Sequence, residues 1–156
     1  TRGFGFKVLL DIVAHFFFIG GALTILVAVL WPEILFTFPL RQPNIWLIVM
    51  AGYPILSVIP QELVYRPLFF HRYGALFQRD TKLAIFANAL FFGFAHIVMA
   101  NPVAVAGTMA ISLLFARRYL KSESLWAVWL EHSLYGCLIF TIGLGIYFYT
   151  GSAHLR

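Results

Sequence analysis

Charged side chains are scarce in this sequence. Asp, Glu, Lys and Arg make up 11% of its 156 residues, less than half of the share of about 25% in an average soluble domain. Hydrophobic residues make up 62%, and the mean hydropathy is +0.88. A chain with so little polar surface cannot cover a folded body in water, which excludes a soluble globular domain. The same apolar excess excludes intrinsic disorder. The class that remains is a multi-pass α-helical membrane protein.

Cysteine is nearly absent as well, because Cys137 is the only one and lies in an apolar run. A single cysteine excludes an internal disulfide scaffold. The formal net charge of +5 would suit a nucleic-acid partner, but the basic residues do not gather on one amphipathic face. They fall between the apolar runs, where loops that face anionic lipid belong. We therefore expect a lipid bilayer, and no nucleic acid, as a partner.

Long apolar runs are abundant, and about 20 such residues suffice to cross a bilayer as a helix. The pattern predicts an all-α bundle in a single membrane domain that covers residues 1–156, with no internal repeat and no interdomain linker. Because the sequence begins with Thr1 rather than Met, we expect it to be part of a longer chain. The predicted spans are five: residues 8–30, 45–70, 83–100, 103–116 and 125–149.

The distribution of Lys and Arg predicts the orientation of these spans, because cytoplasmic loops carry an excess of positive charge. With the N-terminus inside, nine basic residues fall on the cytoplasmic side and two fall outside. The nine are Arg2, Lys7, Arg66, Arg72, Arg79, Lys82, Arg117, Arg118 and Lys121, and the two are Arg41 and Arg156. The sequence therefore predicts a cytoplasmic N-terminus and an external C-terminus.

Ionisable side chains inside the apolar runs are the informative ones, because each costs at least about 2.5 kcal/mol at the centre of a bilayer. Glu62, His96 and His132 lie on three different predicted spans. The helical rise places them about 15, 21 and 12 Å from the cytoplasmic interface. Helix tilt absorbs such differences, so we expect the three side chains to meet within about 8 Å in a polar cavity. One carboxylate and two imidazoles can activate a water or hold a metal ion such as zinc.

Two neighbours of this set are expected to support it. Glu62 and Arg66 are four residues apart, so they share a helix face and can form an ion pair. Asn88 lies two turns before His96 and can line the same cavity. Plainer interpretations stay open, since the ion pair can be purely structural and a single membrane histidine is often an interhelical hydrogen-bonding group.

Other charged residues receive structural interpretations. The stripe of Lys7, Asp11 and His15 is interpreted as a charge ladder at the membrane interface. Glu131 lies about 100° around the helix from its neighbour His132, so it cannot face the same cavity squarely. We expect Glu131 to pair with an arginine or to pack in its protonated form.

Three motifs resemble those of the CPBP family, which comprises the CAAX prenyl endopeptidases of the Ras-converting type and their bacterial bacteriocin-processing and self-immunity relatives. Residues 61–66 read Gln-Glu-Leu-Val-Tyr-Arg and resemble the family motif Glu-Glu-x-x-x-Arg. Residues 92–96 read Phe-Gly-Phe-Ala-His and resemble Phe-x-x-x-His. Residues 124–132 are similar to the third motif, which centres on a histidine in a late helix. Together the motifs cover roughly residues 51–140.

The resemblance implies an intramembrane endopeptidase in a bacterial inner membrane, acting near the C-terminus or anchor of a membrane-associated protein or peptide. Glu62 and His96 would orient and deprotonate a water, and His132 would stabilise the oxyanion. Arg66 would hold Glu62 or receive a substrate carboxylate. Metal-free chemistry is favoured over a zinc ion held by Glu62, His96 and His132, because no local His-Glu-x-x-His pair preorganises an ion.

Two positions depart from the family pattern. Gln61 stands where the family has the glutamate implied to activate the water, so either Glu62 takes that role or the chain is catalytically impaired. Gly136 stands where many members have an asparagine, an implied oxyanion donor that Asn88 could replace. Three alternatives therefore stay open: an impaired family member acting as a membrane scaffold or immunity protein, a proton or ion transporter using Glu62, Glu131 and the histidines, and a structural membrane subunit.

Overall fold

The computed structural model describes residues 3–78 and 80–148, and every regular element within these ranges is a helix. Arg2, Arg79 and Arg156, which enter the charge count above, lie outside the described residues, as does the predicted end of the last span at Tyr149. The helices, in chain order, are α1 Phe6–Leu30, α2 Thr37–Arg41, α3 Pro43–Phe77, α4 Thr81–Met99, α5 Pro102–Ser122 and α6 Leu125–Thr141.

Four of these helices, α1, α3, α4 and α5, are long and apolar enough to cross a membrane. This confirms an all-α, multi-pass helix bundle. Helix α6 has 17 residues and is followed by a 3₁₀ turn, Leu144–Phe148. It is at the short end of the lengths that span a bilayer, so the fifth span stays a prediction, as does the orientation.

Side-chain caps start the last three helices. The Asp80 carboxylate accepts hydrogen bonds from the first backbone amides of α4 at 3.0 Å. Asn101 caps α5, whose first residue is Pro102, and Ser124 caps α6. These caps satisfy amides that have no partner within the helix. Helix α5 continues six residues beyond the predicted end at residue 116. The prediction stopped where the apolar run ends, before Arg117 and Arg118, but the helix includes both arginines.

Helix α3 is irregular, with Pro54, Pro60 and Pro67 inside it. It contains two π-helical stretches, Tyr53–Val58 and Val64–Leu68. A proline removes one backbone donor from the helix ladder, and wider π turns are a common accommodation that re-aims neighbouring side chains. The irregular backbone lies on the helix that carries Glu62.

The bundle is apolar outside and has buried charges inside. Helix α6 packs against α1, α3 and α5, and α4 lies alongside α5. Phe18 and Leu56 leave about four-fifths of their surfaces exposed on the outside, 80% and 79%. The fully buried side chains include Glu62, Arg66 and Glu131, among apolar residues such as Phe115. A lipid environment favours this arrangement, since apolar faces cost nothing in hydrocarbon while charges must pair inside.

Two of the basic residues counted for orientation are not loop charges. Arg66 is fully buried, and Arg118 is 5% exposed. Both pair with carboxylates inside the bundle. Removing these two from the nine leaves seven basic residues inside against two outside, so the prediction of a cytoplasmic N-terminus keeps its direction with a smaller margin.

Candidate functional site

Glu62, Arg66 and Asn88 form one buried cluster between α3 and α4. Arg66 Nε donates to Glu62 Oε2 at 2.8 Å, and its Nη1 donates to Asn88 Oδ1. Asn88 Nδ2 donates to the backbone carbonyl of Tyr65 at 2.5 Å. All three side chains are fully buried. The ion pair predicted from the four-residue spacing is confirmed, and every charge in it has a partner.

His132 on α6 is held at both ring nitrogens. Its Nδ1 lies 2.7 Å from Glu62 Oε1, and its Nε2 lies 3.1 Å from the hydroxyl of Tyr53. The Phe115 ring stacks on the imidazole with centroids 4.8 Å apart. Because an ionised carboxylate only accepts hydrogen bonds, Glu62 directs the His132 proton to Nδ1. A histidine oriented in this way presents Nε2 to its other neighbour.

A cavity of about 560 Å³ opens beside this cluster, between α1, α3, α4, α5 and α6. Most of its lining is apolar, including Ile19 and Leu23 of α1. The hydrogen-bonding side chains that line it include Tyr53, Ser57, Gln61, His96, His132 and Tyr135. Apolar walls with a few convergent polar groups are typical of ligand and substrate sites.

His96 begins the last, 3₁₀ turn of α4, is half-buried and borders the cavity. Its Nδ1 lies 2.8 Å from the backbone carbonyl of Phe92, to which it donates. With Nδ1 carrying the proton, Nε2 of a neutral His96 has a free lone pair. The Phe92 ring contacts both imidazoles, with centroid distances of 4.8 Å to His96 and 5.7 Å to His132. His96 is therefore an available proton acceptor beside the cavity.

Gln61 precedes the buried glutamate and lies on the cavity side of α3. Its Nε2 donates to Ser57 Oγ at 2.8 Å. Its Oε1 is buried and has no hydrogen-bond partner among the described residues. An unsatisfied buried acceptor costs about 1–3 kcal/mol, so a donor from a bound molecule would be stabilising at this point.

The structure corrects three of the expected placements. Of the three predicted catalytic residues, Glu62 contacts His132 directly, but among the described residues the cavity lining includes His96 and His132 and not Glu62. Asn88 does not line the cavity either, and both of its polar atoms are engaged, so it cannot replace an oxyanion donor. Arg66 is enclosed with its charge paired, which leaves it unable to receive a substrate carboxylate.

The expected zinc alternative does not fit the donor set. No three His, Cys, Asp or Glu side chains within residues 3–78 and 80–148 are arranged to hold a metal ion. In particular, His132 uses one nitrogen on Glu62 and the other on Tyr53. Glu62, His96 and His132 therefore do not form the three-ligand zinc site considered from the sequence.

A second buried ion cluster lies near the end of α5. Arg118 donates to Glu131 through two nitrogens, at 2.9 and 3.0 Å, and to Asp11 at 2.5 Å. Glu131 thus pairs with an arginine, as one of its two expected alternatives stated. Asp11 contacts His15 on its own helix, as the predicted charge ladder requires, and it also forms an ion pair that links α1 to Arg118 of α5. This arrangement binds α1, α5 and α6 into one unit.

Tyr53 and Ser57 were missed as site residues in the sequence. They precede Gln61 by eight and four residues, a spacing that places side chains on one helix face, and this polar stripe was the available signal. Gly136, four residues after His132 on α6, leaves a space that Tyr53 fills. A Cβ atom built on Gly136 would overlap the ring and hydroxyl of Tyr53.

A polytopic helix bundle with a Glu–His pair beside a largely apolar cavity has the features of an intramembrane hydrolase. The family model for type II CAAX prenyl endopeptidase Rce1-like proteins matches residues 42–138. The chain belongs to this family, and the matched segment contains Glu62, His96 and His132. Membership makes it a membrane protease of the CAAX type in general terms. Searches of curated proteins and of solved structures found no match to the chain.

Proposed function

We propose that the chain is an intramembrane endopeptidase that hydrolyses a peptide bond near the C-terminus or membrane anchor of a membrane-associated protein or peptide. The observation that carries the proposal is one cavity lined by Gln61, His96 and His132, with Glu62 hydrogen-bonded to His132. A proton acceptor, an unsatisfied acceptor and an oriented imidazole are the groups that a water-mediated acyl transfer needs.

The attacking water is activated by His96. Nε2 of the neutral imidazole takes one proton of the water, while Gln61 Oε1 accepts a hydrogen bond from the other. Oxygen then adds to the peptide carbonyl, and the proton held by His96 passes to the leaving amine nitrogen as the C–N bond breaks. No covalent enzyme intermediate forms, and no metal ion is needed for this sequence of steps.

In this scheme Glu62 acts through His132 and is not the base that deprotonates the water. Full burial and hydrogen bonds with Arg66 and His132 keep its carboxylate away from the cavity. Its negative charge orients His132 and compensates the positive charge that a protonated imidazole carries. The His132 side of the cavity then stabilises the negative charge that develops on the carbonyl oxygen.

The substrate is expected to bring an apolar segment into the membrane level of the bundle. The cavity wall is largely aliphatic and aromatic, with contributions from Leu23, Ile111, Leu114 and Ile139. Burial of an apolar chain in such a wall contributes about 25 cal/mol per Å² of covered surface. A lipidated peptide or a hydrophobic anchor meets this requirement, in a bacterial inner membrane as the proposed location.

A catalytically impaired scaffold or immunity protein is the second candidate. Gln61 favours it, because this side chain borders the cavity where the family resemblance places a glutamate. A glutamine orients a water but cannot take its proton. The two candidates therefore differ in whether His96 alone suffices as the base.

Cleavage of peptides by the purified protein in liposomes tests the proposal, with lipidated and unlipidated C-terminal anchor peptides. We expect cleavage that persists with a metal chelator. His96→Gln should lower the rate by about 10²–10⁴-fold, the usual contribution of general base catalysis. His71→Gln is the matched control. His71 is exposed near the end of α3, so this variant should cleave the peptides at the wild-type rate.

A wild-type rate in His96→Gln would overturn the assignment of the base. If neither the wild type nor Gln61→Glu cleaves any peptide, the scaffold candidate is favoured instead.

A further inference from the structure

Tyr53 contacts His132 and lines the cavity beside it. Its hydroxyl lies 3.1 Å from His132 Nε2, the nitrogen that Glu62 does not use. The phenol ring packs edge-on against Phe140, with centroids 5.3 Å apart, and lines the cavity. Within the described residues, His132 thus has one hydrogen-bond partner on its buried side and one on its cavity side.

Gly136 creates the space for this arrangement. It lies four residues after His132 on α6, on the same helix face. A Cβ atom at this position would overlap the ring and the hydroxyl of Tyr53. The absence of a side chain on α6 therefore lets a side chain from α3 reach the histidine.

We propose that the Tyr53 hydroxyl is the group through which His132 acts on the substrate, donating a hydrogen bond to the carbonyl oxygen of the scissile peptide. The proposal rests on the endopeptidase function proposed above. A phenol has one donor and can also accept. Its oxygen accepts the Nε2–H of His132 while its O–H donates into the cavity.

The step forms and breaks no covalent bond at Tyr53. The proposal requires a proton on each His132 nitrogen, and neither of these protons is transferred in the step. Glu62 accepts the Nδ1–H, and the developing oxyanion balances the added positive charge through Tyr53. In a water-excluded site, such preorganised donors act with little competition from solvent.

Tyr53→Phe removes the hydroxyl and keeps the ring. We expect kcat to fall by about 10²–10³-fold, the usual effect of deleting one oxyanion donor, while KM stays within about threefold because the cavity keeps its shape. Tyr73→Phe is the matched control. This tyrosine is exposed near the end of α3 and does not line the cavity, so kcat should not change.

Binding of a peptide phosphinate, whose tetrahedral anion mimics the oxyanion, tests the same donor without turnover. The wild type should bind it more tightly than the matched peptide with a methylene at that position. Tyr53→Phe should remove about 10²-fold of this preference, and Tyr73→Phe should keep it. If the wild type shows the preference but cleaves nothing, the proposed hydrolysis fails and the donor assignment stands.

Gly136→Ala tests the Tyr53 donor in a second way, since the added methyl group must displace the Tyr53 side chain. It should lower the phosphinate preference in the wild type and have little further effect in Tyr53→Ala, where nothing remains to be displaced. The melting temperature in detergent shows whether each variant is folded. An unchanged preference in a folded Tyr53→Phe protein would overturn the proposal, even where the wild type cleaves.

Discussion

Glu62 and His132, separated by 70 residues in the chain, lie 2.7 Å apart, Oε1 to Nδ1, at the centre of the bundle. This contact joins the irregular helix α3 to the central helix α6. The Glu62 carboxylate also accepts a hydrogen bond from Arg66. The Glu62–His132 contact is therefore part of a buried network in which the Glu62 charge is paired with that of Arg66. Glu62 is therefore placed to orient a histidine, and His132 connects that buried charge to the cavity.

Replacement of this carboxylate should lower activity. Glu62→Gln puts an amide next to Nδ1 and removes the negative charge that orients His132 and compensates its second proton. Because Arg66 is then buried without its charged partner, the melting temperature in detergent is measured to show that the variant is folded. We expect peptide cleavage to fall by about 10²–10⁴-fold, as expected for a misoriented catalytic imidazole. Glu33→Gln, the same change at an exposed turn, should cleave normally. A cleavage rate within twofold of wild type would contradict the role assigned to Glu62.

Gln61→Glu distinguishes the two models for the acting carboxylate. If Glu62 were the base, a second carboxylate beside it should lower activity through repulsion. Because Gln61 borders the cavity and Glu62 does not, we expect the opposite sign, a gain of at least about tenfold from an added general base. Initial cleavage rates measure it, with Gln42→Glu at an exposed position as the control. A loss of activity would restore Glu62 as the base.

The second ion cluster predicts a stability effect separate from activity. Arg118→Ala leaves Glu131 buried without its partner, and breaking a buried ion pair in this way costs about 3–5 kcal/mol. Arg117→Ala is the matched control, because the adjacent side chain is exposed and exposed substitutions usually change stability by less than about 0.5 kcal/mol. Unfolding midpoints in detergent compare the two. Equal midpoints would show that the Arg118 cluster carries no net stability.

Cysteine labelling tests the orientation. Lys121 is the suitable position near the end of α5, because 70% of its side chain is exposed, whereas the adjacent Ser122 is buried. In a Cys137→Ala background, Lys121→Cys should resist an impermeant thiol reagent in intact cells. Arg41→Cys, predicted to lie outside, should react. The reverse pattern would invert the topology.

Much of the candidate site could be recognised from spacing. Glu62 and Arg66 pair because residues four apart meet on any helix. The three chemically reactive residues could be assigned to different helices from the apolar runs alone. Rise per residue placed Glu62 and His132 at similar depths, and they are in contact. Which of two adjacent residues faces the cavity could not be predicted, since the prolines of α3 widen its turns and shift the angle between neighbouring side chains.

The sequence by itself determined that this is a membrane protein, that it is all-helical and which family it belongs to. Apolar runs, caps and short motifs carry this information because they are local properties of the chain. The tertiary structure decided the roles around the cavity. It buried Glu62 and left Gln61 at the cavity, it engaged both ends of Asn88, and it brought Tyr53 over Gly136. These outcomes depend on how α3 and α6 cross, and a crossing is set by side-chain packing between segments far apart in the chain.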